Sequence, residues 1–596
     1  MSNYYLNKTD IEKEKEKGVL ATAMRRLVPL LAEEGRSVTL ALIAIFVSSA
    51  ATLIVPILIG RMVDVYIQSK NFHGVLAFSG VLAVVYLVGL IASYIQVKTM
   101  GGVGRRLLFN LRNKIFDKLS ELPVAFFNQN KEGDIISRIN NDTDKLNQFF
   151  SQALMQFVSN IVLIVGTGIF LVVISFRLGS IALIPAVLAL VATQILSPWI
   201  KRTSLRSLRT LGAMSGEIAE SINNFKVIVA FNRLDYFRDR FRESNEENYK
   251  ASIAVGIASN IFTPIYTFAG VLGQIGVLAY GIYLISLGHF TLGLLISFLL
   301  YVNNFYNPLR QLASVWPSLQ LALAGLDRIS EILALESNMK ILPESVIAGK
   351  STTTHARLEF KNVYFKYVDE PNTKDILRNV SFTLEKGKTY ALVGPTGGGK
   401  TTTASLMARL YDPTDGAVYL EGRDIRTYNP DERTKKIGFI LQEPFLFTGT
   451  VYENILYGNK EHSGYSHAQL LAVLEKAHLT KLLSRFSEGL DTKVFSSGDS
   501  ISLGQKQLIA FMRAVLRNPD ILILDEATAN IDTVTEQLLE EILKNLPADT
   551  TRVIIAHRLN TIENADQIFF VNGGEITLAG DMEHAVDMLL HGQRKS

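Results

Sequence analysis

Residues 389–410 read TYALVGPTGGGKTTTASLMARL. A short apolar run ends at Gly394, and a helical pattern begins near Lys400. Between them stand Pro395, Thr396, Gly397, Gly398 and Gly399. Backbone without side chains can turn its N–H groups onto an anion, and a helix start adds positive potential at the same point. Lys400 then reaches the β- and γ-phosphates of a nucleotide, and the hydroxyl of Thr401 is a ligand for Mg²⁺, with Thr402 closing the loop. A second stretch, ILILDEATANID at 521–532, adds what hydrolysis needs. Four apolar residues make a buried strand that ends in Asp525 and Glu526, one placed to hold Mg²⁺ and the other to polarise an attacking water. Such a pair can also cap the next helix, but downstream of a phosphate loop it reads as ATP hydrolysis.

Smaller features surround these two. Tyr367 in YFKYVDE offers a ring for an adenine or for the core. Gln442 in FILQEPFLF follows an apolar strand and is within reach of the metal or the water. His557 in VIIAHRL stands at another strand end, where it can touch a γ-phosphate or serve structurally. At 501–510 the sequence ISLGQKQLIA runs from a polar turn into a helix. Ser502, Gly504 and Gln505 suit an anion-contacting turn, and Leu503 interrupts them.

Two kinds of architecture must carry these residues. The chain has 596 residues, too many for one core. Its net charge of +4 is spread out, so nucleic acid is not an indicated partner. With no cysteine, disulfides, cysteine-ligated zinc and thiol catalysis are excluded. Mean hydropathy is positive at +0.21, and the apolar residues are concentrated in the first half. A bilayer-spanning helix needs about 20 mostly apolar residues. Uncharged runs of that length predict six spans, at about 37–61, 71–97, 150–176, 178–200, 254–286 and 291–315. Arg and Lys crowd the start of the chain and the segments 98–145 and 201–250, which places both termini and these two connections on the cytoplasmic side. The connections carry helical patterns, so the spans are expected to continue beyond the membrane and to bend back there. Residues 19–35 fit a helix lying along the membrane interface or a plain solvated helix. The opening MSNYYLNKTDIEKEKEKG is polar and charged, with neither a secretory nor a transit-peptide pattern. An all-α membrane domain is thus expected over 1–335, a Ser/Thr-rich linker over 336–356, and an α/β domain around a partly parallel sheet over 357–596.

Taken in order, Tyr367, GPTGGGKT, Gln442, SLGQ, ILILDE, NID and His557 resemble the nucleotide-binding domain of an ABC transporter. The spans placed before it resemble the exporter type in half-transporter form, and the resemblance covers nearly the whole chain. FFNQNKEGDIISRINNDTDKL (126–146) and EIAESINNFKVIVAFNR (217–233) look like that family's two coupling segments. The resemblance implies that Tyr367 stacks on adenine, that 394–402 cradle the phosphates, and that Gln442 and Asp525 attend Mg²⁺. It makes Glu526 the catalytic base and His557 the γ-phosphate sensor. It further implies a dimer, in which Ser502, Gly504 and Gln505 contact ATP on the partner's phosphate loop and Asp532 joins the two sites. Leu503 stands where the family has glycine and Leu508 where it has arginine. With Glu526 intact, that combination resembles one side of the heterodimeric bacterial exporters; a homodimer remains open. A bacterial inner membrane is the implied location.

The cargo is less legible. No span carries a buried charge that would mark an ion or proton path. Gln194, Gln274, Tyr301, Asn303, Asn304 and Tyr306 either face a cavity or pack helix against helix. An uncharged cavity suits a lipophilic or amphipathic compound. A drug-type exporter, a lipid flippase and a non-transporting ATP-gated regulator all fit, whereas soluble ATPases with similar signatures are excluded by the spans.

Overall fold

The computed structural model describes residues 4–6, 28–343, 356–368, 373–495, 501–525, 533–555, 565–580, 583–584 and 587–588. The chain forms two compact units. The first comprises Lys8–Leu119 and Gly133–Ala334; the second comprises Met1–Asn7, Ser120–Glu132 and Leu335–Ser596. The bend at 120–132 and the first seven residues thus group with the nucleotide domain.

The first unit is helical. Its long helices are α1 (Gly35–Met62) and α2 (Phe72–Glu121), the latter ending just inside the second unit. The short α3 (Val124–Gln129) belongs to the second unit and leads to the helical run α4 (Glu132–Ile174). Then come α5 (Phe176–Asn223), the short α6 (Phe225–Ala230), α7 (Leu234–Asn260), α8 (Phe262–Ser286) and α9 (Leu292–Ala334). By length and composition, five helical runs among the described residues can cross a membrane: Ala32–Ile67, Phe72–Glu121, Glu132–Ile174, Phe176–Asn223 and Leu234–Ser286. The sixth expected span, 291–315, falls on α9, where some side chains lie outside the described set.

Small residues let α1 and α9 touch backbone to backbone. A Cβ added at Gly60 would lie 2.5 Å from the Gly293 carbonyl oxygen, and one at Gly293 would lie 2.0 Å from that of Gly60. Polar side chains close the same seam, as expected where lipid cannot satisfy them. Asp64 accepts from Thr291 Oγ1 at 2.6 Å and from the Gly293 N–H at 2.8 Å, capping the start of α9. Ser297 donates to the Pro56 carbonyl at 2.7 Å, and Tyr301 to that of Leu53 at 2.6 Å. Tyr306 donates to the Ala182 carbonyl on α5 at 2.8 Å. Both tyrosines are buried and therefore join helices, which removes them from the candidate cavity residues. Gln274 instead donates to Asn303 at 2.7 Å in an exposed pair.

Among the described residues the second unit contains two larger sheets and a two-stranded one that pairs Gly449–Thr450 with Lys493–Val494. β2 (Leu377–Glu385), β1 (Ala356–Phe365) and β4 (Asp415–Leu420) pair antiparallel. The larger sheet has the order β9-β8-β3-β7-β6-β5, built from β3 (Thr389–Val393), β5 (Ile437–Ile440), β6 (Ile521–Asp525), β7 (Thr551–Ile555), β8 (Gln567–Asn572) and β9 (Glu575–Gly580). All its pairings are parallel except β8 with β9. β3 and β6 are buried at every residue, which explains why both read as unbroken apolar runs. The helix after β3 is α10 (Lys400–Met407), and the helix that precedes β6 is α11 (Leu503–Val515). The α/β expectation for the second half and the helical expectation for the first are both met.

Candidate functional site

Parallel sheets place ligands at the carboxyl ends of their strands. Here β3 and β6 both flank β7: Leu392 pairs with Ile555, and Ile555 with Asp525. The phosphate loop and the Asp525 carboxylate therefore emerge on the same edge. The loop needs its glycines for two reasons. Gly394 has φ +144°, and a Cβ there would lie 2.0 Å from the Val571 carbonyl oxygen of β8. Gly399, at φ +115°, caps α10 in a left-handed conformation that side chains resist. Gly398 donates its N–H back to the Pro395 carbonyl at 3.1 Å, which folds Thr396 and Gly397 into the turn.

Lys400 is buried, and its ammonium donates to the carbonyls of Gly394 and Pro395 at 2.9 and 3.1 Å. It is thereby held in the mouth of the loop, where phosphate oxygens can compete for it. Thr401 Oγ1 lies 3.4 Å from Asp525 Oδ1. A hydroxyl and a carboxylate side by side at a helix start form the hard-oxygen donor set that Mg²⁺ prefers. Tyr367 Oη is 3.0 Å from Thr402 Oγ1, which ties the aromatic ring to the loop while leaving it 36% exposed. Gln442 is exposed in the segment after β5. The structure thus brings together Tyr367, the loop 394–402 and Asp525. Glu526, Asp532 and His557 lie outside the described residues; Glu526 follows Asp525 directly, and His557 follows the last residue of β7 by two.

Ser502 is the N-cap of α11. Its Oγ accepts the Gln505 N–H at 3.2 Å, and Gln505 Oε1 accepts the Ser502 N–H at 2.8 Å, completing a capping box. The Ser502 hydroxyl hydrogen stays available to an anion. Leu503 is the first residue of the helix and is not among the left-handed positions, so the leucine causes no backbone strain. Its side chain is 43% exposed, leaving bulk at the surface as the consequence of the substitution.

Several residues with no local motif belong to the same machinery. Arg513 on α11 donates to the Phe445 carbonyl at 3.1 Å and to that of Asn454 at 2.8 Å, fastening the segment after Gln442 to the helix that Ser502 caps. Burial pushes its guanidinium down from the ordinary value. Tyr411 packs edge-on against Tyr367 with ring centroids 5.2 Å apart. Its phenol, pushed up by burial, stays protonated and accepts from Asn128 Nδ2 of α3 at 2.6 Å. The bend at α3 is thus one aromatic ring away from Tyr367. At the other bend, α6 buries only Ile228, while Phe225, Val227 and Val229 are about half exposed (56, 54 and 49%) and Phe231 is 74% exposed.

The helical unit holds a cavity of about 580 Å³ between α1, α2 and α9. Ser48, Thr52, Tyr86, Ser93 and Asn304 supply its polar groups, the rest of the lining is apolar, and no described lining residue is charged.

Comparison with known proteins agrees with this layout. The family model for the ABC transporter transmembrane region matches residues 38–309, and that for the ABC transporter matches 377–529. The chain is 31% identical over 569 residues to a multidrug resistance ABC transporter ATP-binding and permease protein of Lactococcus lactis, covering 95% of this chain and 94% of that one. It is 32% identical over 514 residues to a fatty acid ABC transporter ATP-binding/permease protein of Mycobacterium tuberculosis, covering 86% and 80%. To an ATP-dependent lipid A-core flippase of Syntrophus aciditrophicus it is 29% identical over 559 residues, covering 94% and 91%.

Proposed function

The chain belongs to the ABC transporter family, with transmembrane region and ATP-binding domain fused, and from that premise we propose that it exports lipophilic or amphipathic compounds as one half of a dimer. ATP hydrolysis at the nucleotide domain is coupled to this transport. The observation that carries the substrate class is the cavity of about 580 Å³, large enough for a drug-sized molecule and lined by hydroxyls, one amide and apolar groups. The names of relatives point to lipophiles of several kinds, and a flippase acting on one lipid class is the second reading.

In the proposed cycle an incoming γ-phosphate draws Lys400 from the carbonyls of Gly394 and Pro395, and the N–H groups of the loop close around the β-phosphate. Thr401 and Asp525 would hold Mg²⁺ with Gln442 nearby, and the ion would supply charge neutralisation. Tyr367 stacks on the base. Glu526 takes a proton from the attacking water and His557 contacts the γ-phosphate. Ser502, Gly504 and Gln505 cover ATP on the partner's loop, and Asp532 links the two sites. Closing of the two nucleotide domains switches the six-span cavity to the outward-facing state, and hydrolysis resets it. A heterodimer is favoured by Leu503 and Leu508 beside an intact Glu526. The distribution of basic residues supports an orientation with both termini cytoplasmic, and the likeness to bacterial exporters supports a bacterial inner membrane.

The test is ATP turnover and vesicle transport by the full-length dimer across a panel of lipophiles. Varied neutral lipophiles should stimulate turnover, and Asn304→Asp should weaken that stimulation roughly tenfold by placing a charge in the cavity. Stimulation by a single lipid class would replace export by flipping; no movement of any solute would leave a regulator. Glu526→Gln should abolish steady turnover while ATP binding persists, and turnover like that of the wild type would remove Glu526 from its role.

A further inference from the structure

Residues 4–6 lie within a stretch whose sequence reads as a polar tail, yet Tyr4 is only 1% exposed. Its backbone N–H donates to Gln129 Oε1 at 2.8 Å. The single side chain of Asn130 then behaves as a β-partner for the segment. Its Nδ2 donates to the Tyr4 carbonyl at 2.9 Å, and its Oδ1 accepts the Leu6 N–H at 3.0 Å. The phenol reaches the other way. Tyr4 Oη accepts the Asn338 N–H at 2.8 Å, with Asn338 Oδ1 at 2.9 Å and the Glu336 carbonyl at 3.1 Å as acceptors for its own proton.

The two segments joined by Tyr4 land on one place. Asn128 of α3 meets Tyr411 at 2.6 Å, and the Lys340 carbonyl accepts from Arg409 Nη2 at 3.0 Å. Arg409 and Tyr411 both lie just past the end of α10, the helix whose first residue is Lys400. The bonds form a closed ring that runs from the end of α10 through Tyr411, α3, Tyr4 and residues 336–340 back to Arg409. A ring resists separation of its members better than two independent attachments do, because each contact limits the freedom of the others.

We propose that the segment 4–6 is a strap, with Tyr4 as a positioning residue, that makes the first coupling bend and the linker move as one body with the phosphate-loop helix. The bend at 120–132 and the linker after Ala334, through which the chain passes to the helical unit, then receive the nucleotide-driven motion together. The proposal rests on the export reading only for its substrate-dependent readout.

The experiment uses the full-length chain in its transport-competent dimer, reconstituted in lipid nanodiscs, with Tyr4→Ala, Tyr4→Phe and Asn130→Ala. Basal ATP turnover should stay within about twofold of wild type, while stimulation by a lipophile falls at least about threefold in Tyr4→Ala and Asn130→Ala. Tyr4→Phe, which keeps the ring and loses the hydroxyl, should retain part of the stimulation. In amide exchange, ATP should change protection at 124–130 and 336–342 together in the wild type and separately in Tyr4→Ala. Unaltered stimulation, or equal loss of basal and stimulated turnover, would overturn the strap. If no lipophile stimulates even the wild type, the export reading fails and the exchange comparison alone decides: concerted change in Tyr4→Ala overturns the proposal.

Discussion

The short helices α3 and α6 hold comparable places in the chain, each at a bend between long helices, yet they bury their apolar residues to different extents. In α3, Ala125 and Phe126 are buried and Asn128 is bonded to Tyr411, while Val124 and Phe127 stay 38% and 45% exposed. In α6, Phe225, Val227 and Val229 face outward, and Ile222 and Phe231 extend the patch on either side. An apolar patch on a helix turn beyond the apolar spans is unfavourable in water and marks a place where another surface fits. The contrast is one of degree: α3 is the better anchored bend, and α6 carries the larger exposed apolar patch.

The comparison can be broken most decisively at α6. Replacing Phe225 and Phe231 together by aspartate should lower transport at least about thirtyfold, the scale of losing an interface hot spot. Thermal stability should be almost unchanged, since both side chains are exposed. A large drop in melting temperature would mean that α6 is packed internally after all. At α3 the pattern should reverse. Phe126→Ala removes a fully buried ring and should cost about 3–5 kcal/mol of stability in the nucleotide unit, read by thermal or denaturant unfolding. A smaller step is Asn128→Ala, which deletes one hydrogen bond to Tyr411 and should cost about 1 kcal/mol. The smallest effect is expected at another outward-facing apolar residue, Leu503. Leu503→Gly should raise ATP turnover modestly by letting the partner's nucleotide approach α11, and unchanged turnover would show the leucine to be neutral.

Legibility in the sequence followed the range over which each feature is determined. The phosphate loop was readable because strand, glycines, lysine and helix are consecutive, and the Val571 carbonyl shows why residue 394 must lack a side chain. The apolar strand before Asp525 was readable for the same local reason. Direction was not readable. Tyr301 and Tyr306 announced polar groups inside spans, but only the packing of α1, α5 and α9 shows that their hydroxyls close helix seams. The bond from Asn128 to Tyr411 spans 283 positions, and that from Tyr4 to Asn338 spans 334, distances at which no periodicity or spacing survives. Leu503 was a question of a different kind. It stands where the family has glycine, and the capping box around it shows ordinary helical backbone.

The seam between α1 and α9 sets which boundary of the cavity can yield. From Leu53 to Asp64 these helices are stitched by Tyr301, Ser297, the facing glycines and Thr291, so they form a stiff corner. The third wall is α2, where no residue of 72–91 is fully buried, although Arg106 further along binds Glu34 and Ser37 at the start of α1. The cavity is therefore bounded by two walls stitched to each other and a third that is packed more sparsely over 72–91. Swinging α2 breaks no polar stitch of that seam, whereas parting α1 from α9 would break several at once.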